Sequence, residues 1–587
     1  MGSASTIPAP SRVLSRVAEG PLGWVALVLI CATVYLPGLF TLPPVDRDES
    51  RFAQASRQMF RSGDWAVPMV QDRPRLNKPP LIYWLQSASL AIFGDDNPNT
   101  IWVYRIPSAL CATAAVLLTW RLGRRMFDPR AAILAAVLLA VCPIVVWDAH
   151  QARADQLLLL TVVSTQLCLF RVWKSARSGA GAGFLWPILF WLGLGLGVMA
   201  KGPITPMIAA CTAATVCLVE RRAAWLLALR PLLGVIVLAA VITPWLLRVV
   251  EQVGWDRYLA IIRDETIGRS REAKEGHWGP PGYHLLLVSL LFWPGSLFTA
   301  AAVIRAWPRA ALNRTLQTRA ARPHTPRAAE LFLLGWLVPS WIIFELIGTK
   351  LPHYTMPLYP ALALLSARMT LRIASLGGRF VRDRGMTLGI FIWILLSVLL
   401  AGLASPAIAV ALAHPLVPAR DHWLIIPASI APIIAFAVAG RMFRAVRRHR
   451  LLQLQIMGIA LALITPMLLI ELNLARRPEL ALSSRLLEQI RRLDPDRTRP
   501  VAASVYHEDS LVFLTRGTLR KLDPEPLAAF ARENPDAILV VPESQPLPPG
   551  FTPASTLTGF NYSIGKWATL VVAVRPSASA PPIGGVP

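Results

Sequence analysis

Asp48 and Glu49 stand in the run Asp46-Arg47-Asp48-Glu49-Ser50-Arg51-Phe52, just beyond the apolar stretch Gly23–Phe40. Carboxylates at a membrane boundary are costly unless they are used or paired. One placed just above the hydrocarbon can act as a general base toward an acceptor hydroxyl. The run also reads as a helix start, with Asp48 capping a helix through Arg51–Phe60 and Glu49 in its first turn. Further on, Arg75-Leu76-Asn77-Lys78-Pro79-Pro80 leads into the apolar segment Leu81–Phe93. Lys78, beside Arg75, suits a phosphate held at headgroup depth, and it also suits snorkelling to lipid phosphates.

Three more charged stretches carry related chemistry. Trp147-Asp148-Ala149-His150-Gln151-Ala152-Arg153-Ala154-Asp155 supplies another carboxylate at a helix start, with Arg153 as a ready ion-pair partner for Asp155. Arg263 to Arg269 leads into Glu275-Gly276-His277-Trp278, where His277 is either a metal or phosphate ligand or an ordinary loop histidine. Gly348-Thr349-Lys350-Leu351-Pro352-His353-Tyr354 puts Lys350 and Tyr354 at another helix end. Cations gathered this way can neutralise a departing phosphate while a carboxylate takes the acceptor's proton.

The elements that position these residues are membrane helices. Of 587 residues 54% are hydrophobic and 16% charged, too little charge to cover a soluble chain of this length. Apolar runs such as Ala131–Val146, Leu232–Val250, Leu388–Ala413 and Leu454–Leu472 recur along the chain, and a hydrocarbon core takes about 20 residues to cross. The net charge of +25 sits in short arginine clusters between those runs, among them Arg121, Arg124 and Arg125, and Arg441 to Arg450. That placement reads as cytoplasmic loops and argues against nucleic acid as a partner. The six cysteines lie in or beside apolar segments without CxxC spacing, which indicates neither a disulfide framework nor a zinc cluster.

With the arginine clusters inside, the chain reads as an α-helical polytopic membrane protein of about thirteen transmembrane helices. Residues 1–20 form a cytoplasmic segment and 21–472 the membrane domain, with outer loops 43–104 and 251–281. Gly23–Phe40 reads as a retained first helix. Leu81–Phe93 is too short to span and reads as an interfacial helix, with Tyr83 and Trp84 anchoring it at headgroup level. Residues 473–575 read as a small soluble α/β domain on the outer face and 576–587 as a disordered tail. A transporter or flippase of lipid-linked sugars is the alternative; it calls for ionisable groups near the bilayer midplane, where Glu345 is a candidate.

The motifs DESRFAQASRQMFRSGDWAVP, NKPPLIYWL, ARADQLLLL, AKGP, HWGPPGY and KLPHYTMPLYPALALL follow one another from Asp48 to Leu365. In that order they resemble the bacterial GT-C membrane glycosyltransferases of the protein O-mannosyltransferase and aminoarabinose (lipid A) transferase type. The resemblance implies transfer from a polyprenyl-phosphate sugar to a lipid, lipopolysaccharide or protein acceptor, on the periplasmic side of the bacterial inner membrane. It implies Asp48 as catalytic carboxylate and Asp155 as the second acid. Lys78, Arg51 and Arg269 would contact the donor phosphate, with Glu49, Tyr354, Lys350 and Asn77 in the donor pocket. His277 falls where the aminoarabinose branch has a metal-ligating histidine, which implies a divalent metal. Asn77 stands where that branch has glutamate and brings no charge to such an ion.

Overall fold

The computed structural model describes residues 20, 22–44, 47–94, 101–179, 181, 183–264, 279–311, 326–376, 384–402, 425–561 and 564–576. Among these, Ile101–Met126, Asp155–Ser178, Pro231–Val253, Arg327–Leu346 and Leu451–Arg476 are five helices long and apolar enough to cross a membrane. The helices Pro129–Ala140 and Pro143–Ala149 make a sixth span if taken together, bent by 56°. Pro143 accounts for the break, since its ring removes a backbone donor and clashes with the preceding turn. Leu22–Tyr35, Leu185–Lys201 and Ile204–Glu220 are shorter apolar helices. The expected span Leu388–Ala413 runs out of the described residues at 403.

The helices close tightly where side chains are small. A Cβ on Gly123 would stand 2.8 Å from Leu364 and 2.9 Å from the Ala132 backbone. Three helices therefore meet there by way of a missing side chain.

The long loop after the first apolar helix forms two helices, as its sequence predicts. Arg47–Ser62 is polar on average but strongly amphipathic, and it buries Phe52, Ala53, Ala55, Ser56 and Met59. Leu81–Phe93 begins after Pro79-Pro80 and ends at Gly94, whose positive φ lets its N–H reach the Leu90 carbonyl. The two helices are stitched face to face: Ser56 Oγ donates to Gln86 Oε1 at 2.6 Å, and the Phe52 and Tyr83 rings lie 5.3 Å apart. Tyr83 is therefore fully buried against protein, where the sequence reading has it anchoring the helix at the interface. Trp84 remains half-buried and donates to the Trp65 carbonyl.

Between these helices, β1 (Met69–Val70) and β2 (Arg73–Pro74) make a small antiparallel hairpin. Gln58 fixes its turn, accepting from the Gln71 backbone N–H at 2.7 Å and donating to the Gln71 carbonyl at 3.0 Å.

The C-terminal residues build a five-stranded sheet in the order β4 (Arg520–Leu522), β3 (Val501–Ser504), β5 (Ile538–Pro542), β7 (Lys566–Val574), β6 (Thr552–Asn561). β3 is parallel to β4 and β5, while β7 is antiparallel to β5 and β6. β3 is buried throughout and β5 along four of its five residues, which explains their near-continuous apolar sequences. The helix Leu482–Leu493 covers this sheet with Leu482, Leu486 and Ile490, one turn apart.

One buried arginine ties the first apolar helix to the first outer loop. Arg105, fully buried near the start of Ile101–Met126, donates to both Glu49 oxygens at 2.7 and 2.9 Å. Its remaining N–H groups reach the carbonyls of Leu39 (3.3 Å), Leu42 (2.7 Å) and Pro43 (3.0 Å). All five guanidinium donors are thereby used. Arg105→Met should strand Glu49 as a buried charge and cost about 3–5 kcal/mol. Arg121→Met, at an exposed arginine of the same helix, should stay within about 0.5 kcal/mol. Thermal unfolding in detergent compares them, and equal midpoints would show that the clamp contributes nothing.

Candidate active site

Asp48 lies in the first turn of Arg47–Ser62, and its carboxylate meets two cations. Arg75 Nη2 stands 3.2 Å from Oδ1 and Arg51 Nη1 3.8 Å from the same atom. Arg75 is itself held in place, its Nε 3.2 Å from the Tyr83 hydroxyl and its guanidinium 4.8 Å from the Phe52 ring centre. Asp48 keeps 53% of its side-chain surface accessible although protein surrounds it, so it faces a solvent-open concavity. Burial pushes its pKa up, but Arg75, Arg153 and Arg51 together outweigh this and hold the carboxyl below its usual value.

A second cluster assembles from three separated motifs. Asp155 opens the helix Asp155–Ser178 and is hydrogen-bonded to Lys201, the last residue of Leu185–Lys201. His353 Nε2 lies 3.6 Å from Asp155 Oδ1, and Lys201 Nζ is 5.7 Å from the centre of the Tyr354 ring. Both aromatic residues belong to the 3-10 helix Pro352–Leu358. Burial pushes the His353 imidazole down to about 3, a shift that Asp155 opposes and that Arg153 and Lys201 reinforce, so the ring is neutral at working pH. Arg153 pairs with Asp148 at 2.6 Å and lies within electrostatic reach of Asp48, Asp155 and His353. The two acids are thus joined through one guanidinium.

The other sequence-selected residues are distributed unevenly around these clusters. Lys78 is half-buried in the bend before Leu81–Phe93. Asn77, Arg51 and Arg75 line a cavity of about 850 Å³ together with Asp509 and Lys521 of the C-terminal sheet region. Glu49 is fully buried, bonded to Arg105 and accepting the Ala152 N–H at 2.9 Å, so it ties the loop to two other segments. Lys350 is likewise drawn inward, 5% exposed, with Nζ donating to the Ile347 carbonyl at 2.8 Å. That bond satisfies a carbonyl at the end of a helix. Arg269 and His277 lie outside the described residues.

The buried Asn77 Oδ1 has no hydrogen-bond partner, and a neutral amide oxygen is a weak ligand for a divalent ion. Among the described residues no three His, Cys, Asp or Glu side chains stand where they could share a metal.

Sequence reasoning passed over Lys201 and His353, although both lie inside quoted motifs. A four-residue stretch such as AKGP has no chemistry until Asp155 is opposite it.

The family of dolichyl-phosphate-mannose-protein mannosyltransferases matches residues 77–247. An undecaprenyl phosphate-alpha-4-amino-4-deoxy-L-arabinose arabinosyl transferase of Edwardsiella ictaluri is 29% identical over 75% of this chain and 75% of its own length. The Erwinia tasmaniensis enzyme of the same name is 30% identical over 58% of each chain. In fold, the chain is similar to the crystal structure of ArnT from Cupriavidus metallidurans bound to undecaprenyl phosphate. The TM-score is 0.71 at 19% identity, covering 96% of this chain and 100% of that one. The archaeal oligosaccharyltransferase AglB from Archaeoglobus fulgidus gives 0.52 at 13% identity, covering 91% and 70%.

The chain has the GT-C fold and works as a membrane glycosyltransferase. The transporter or flippase alternative falls, because the matched relatives are transferases. Glu345, its best candidate residue, has a structural task in this glycosyltransferase. It accepts the backbone N–H groups of Gly282 at 3.0 Å and Leu285 at 3.1 Å, satisfying the free start of the helix Tyr283–Leu291.

Two outcomes follow for the clusters. Because Asp48 is held low, kcat/KM should show no acid limb from it between about pH 5.5 and 7.5. Arg75→Gln removes the closest cation, so Asp48 should hold its proton to higher pH and the acid limb should move upward; an unmoved limb would contradict the assignment. Lys201→Met should lose about 3–5 kcal/mol by leaving Asp155 buried and unpaired, and Asp155→Asn added to it should recover much of that loss. Equal unfolding midpoints for the single and double variants would show that the pair does not carry this energy.

Proposed function

We propose that the chain transfers a sugar from a polyprenyl-phosphate donor to a lipid or lipopolysaccharide acceptor on the periplasmic face of the bacterial inner membrane. The observation that carries this is Asp48 set among Arg75, Arg51 and Arg153 within reach of the Asp155–Lys201 pair. Membrane residues 21–472 form the transferase and residues 473–575 stand on its outer face. The side of the membrane is supported by the helices themselves. Asp155–Ser178 begins at the acid cluster and ends with Arg171, Lys174 and Arg177, and its 24 residues extend about 36 Å. Ile101–Met126 likewise carries Arg105 at one end and Arg121, Arg124 and Arg125 at the other. Basic ends of this kind face the cytoplasm, so the acids face away from it.

In the reaction the donor phosphate lies against Lys78 and Arg51, with Arg269 as a further contact. The acceptor oxygen attacks the anomeric carbon, its proton passes to Asp48, and the bond from that carbon to the phosphate oxygen breaks. The leaving polyprenyl phosphate keeps the electron pair, and the cations stabilise its developing charge. A carboxylate held low by three guanidiniums is a weak base. It fits an acidic acceptor group better than an aliphatic hydroxyl, which favours lipid or lipopolysaccharide over a protein serine or threonine. The relatives named above make undecaprenyl phosphate-linked 4-amino-4-deoxy-L-arabinose the donor to test first.

Asp48→Asn should abolish transfer while expression and membrane insertion stay normal. Mass spectrometry of lipid and glycan fractions from cells with the wild-type gene, with the variant and without the gene measures this. A sugar lost with the gene but retained by the variant would remove Asp48 from the reaction.

A further inference from the structure

We propose that Asp509, from the C-terminal sheet region, is a positioning residue for the transfer reaction, holding the Arg51 guanidinium beside Asp48. The inference rests on the reading of Asp48 as base and Arg51 as phosphate contact. Asp509 is 5% exposed and both its oxygens are taken: Oδ2 accepts from Arg51 Nε and Oδ1 from Lys521 Nζ, each at 2.6 Å. Arg51 is the only member of this set shared with the acid cluster, its Nη1 standing 3.8 Å from Asp48 Oδ1.

The geometry gives Asp509 a definite task. Arg51 follows Asp48 by one helical turn, a spacing at which the two side chains can close into a direct ion pair. Such a pair would occupy the base and the phosphate-binding cation together. With its Nε edge held by Asp509, Arg51 stays 3.8 Å from Asp48 Oδ1, beyond hydrogen-bond distance, while Arg75 Nη2 reaches the same oxygen at 3.2 Å. Asp509 opens the short helix Asp509–Leu514, which is fastened along Arg47–Ser62 independently of this contact. Arg57 Nη1 donates to the Phe513 carbonyl at 2.7 Å with its guanidinium 4.1 Å from the Phe513 ring centre, and Gln71 Nε2 donates to the carbonyls of Gly517 (3.1 Å) and Leu519 (2.6 Å). The docking therefore survives loss of the Asp509 carboxylate, and what is lost is the hold on Arg51.

Steady-state transfer by the full-length protein tests this, with undecaprenyl-phosphate-linked 4-amino-4-deoxy-L-arabinose as donor and lipid A as acceptor. Asp509→Asn should lower kcat about tenfold while the donor KM moves less than about twofold. In an Arg51→Gln background the same change should add less than about twofold, since its effect runs through Arg51. Arg51→Lys keeps the charge but lacks the second donor edge, and it should show the same fall in kcat as Asp509→Asn. Wild-type kcat in Asp509→Asn or in Arg51→Lys would overturn the proposal, as would losses that multiply in the Arg51→Gln background. Arg51→Lys keeps the test decisive if Asp509→Asn is not recovered folded. Asp48→Asn in the same assay separates the two readings: full transfer by that variant sinks the assignment of Asp48, whereas no transfer by it with normal transfer by Asp509→Asn sinks only the role of Asp509.

Discussion

Arg105 and Glu49 form a fully buried ion pair on which the placement of the acid cluster depends. A guanidinium removed from water is costly unless each donor is met, and here the carboxylate takes two bonds and three carbonyls take the rest. Those carbonyls belong to Leu39, Leu42 and Pro43, where the chain leaves its first apolar helix. Glu49 also accepts the Ala152 N–H, in the turn that leads to Asp155. One pair therefore gathers the exit of the first helix, the start of the Arg47–Ser62 helix and the approach to the second acid. Asp48 is next to Glu49 in sequence, so the direction in which it points is set by a neighbour that itself does no chemistry.

The two acids differ in how they are held. Asp48 meets guanidiniums across an open concavity and keeps half its surface, which suits a group that must receive a substrate. Asp155 meets an ammonium at close range with little exposure, beside a neutral imidazole, which suits an acid whose charge is fixed. Arg153 acts on both and is itself bonded to Asp148. The arrangement places positive charge where a phosphate would depart and leaves one carboxylate accessible among it.

Some of this was legible in the residues. Leu81–Phe93 has the same bounds in sequence and structure because Pro79-Pro80 and Gly94 punctuate it. The apolar runs Ala537–Val541 and Thr569–Val574 fall on β5 and β7. Tyr83 was not legible: an apolar helix at an interface has a face for lipid and a face for protein, and only the Arg47–Ser62 helix lying over it decides which is which. The partners of Glu49 and Lys350 were not legible for a related reason, since a charge in a motif looks the same whether it meets a ligand, an arginine or a carbonyl.

The sequence by itself determined that this is a membrane chain, that Asp155 and the cluster Arg171, Lys174 and Arg177 lie at opposite ends of one apolar run, and that its motifs resemble those of lipid-linked sugar transferases. These are properties of composition and local order, written in runs of about 20 residues or fewer. Only the tertiary structure decided which cation serves which acid. Asp155 and Lys201 are 46 positions apart, Glu49 and Arg105 are 56 apart, and Arg51 and Asp509 are 458 apart. Such pairings depend on which helix faces meet, and a buried charge has no choice of partner until the chain has closed around it.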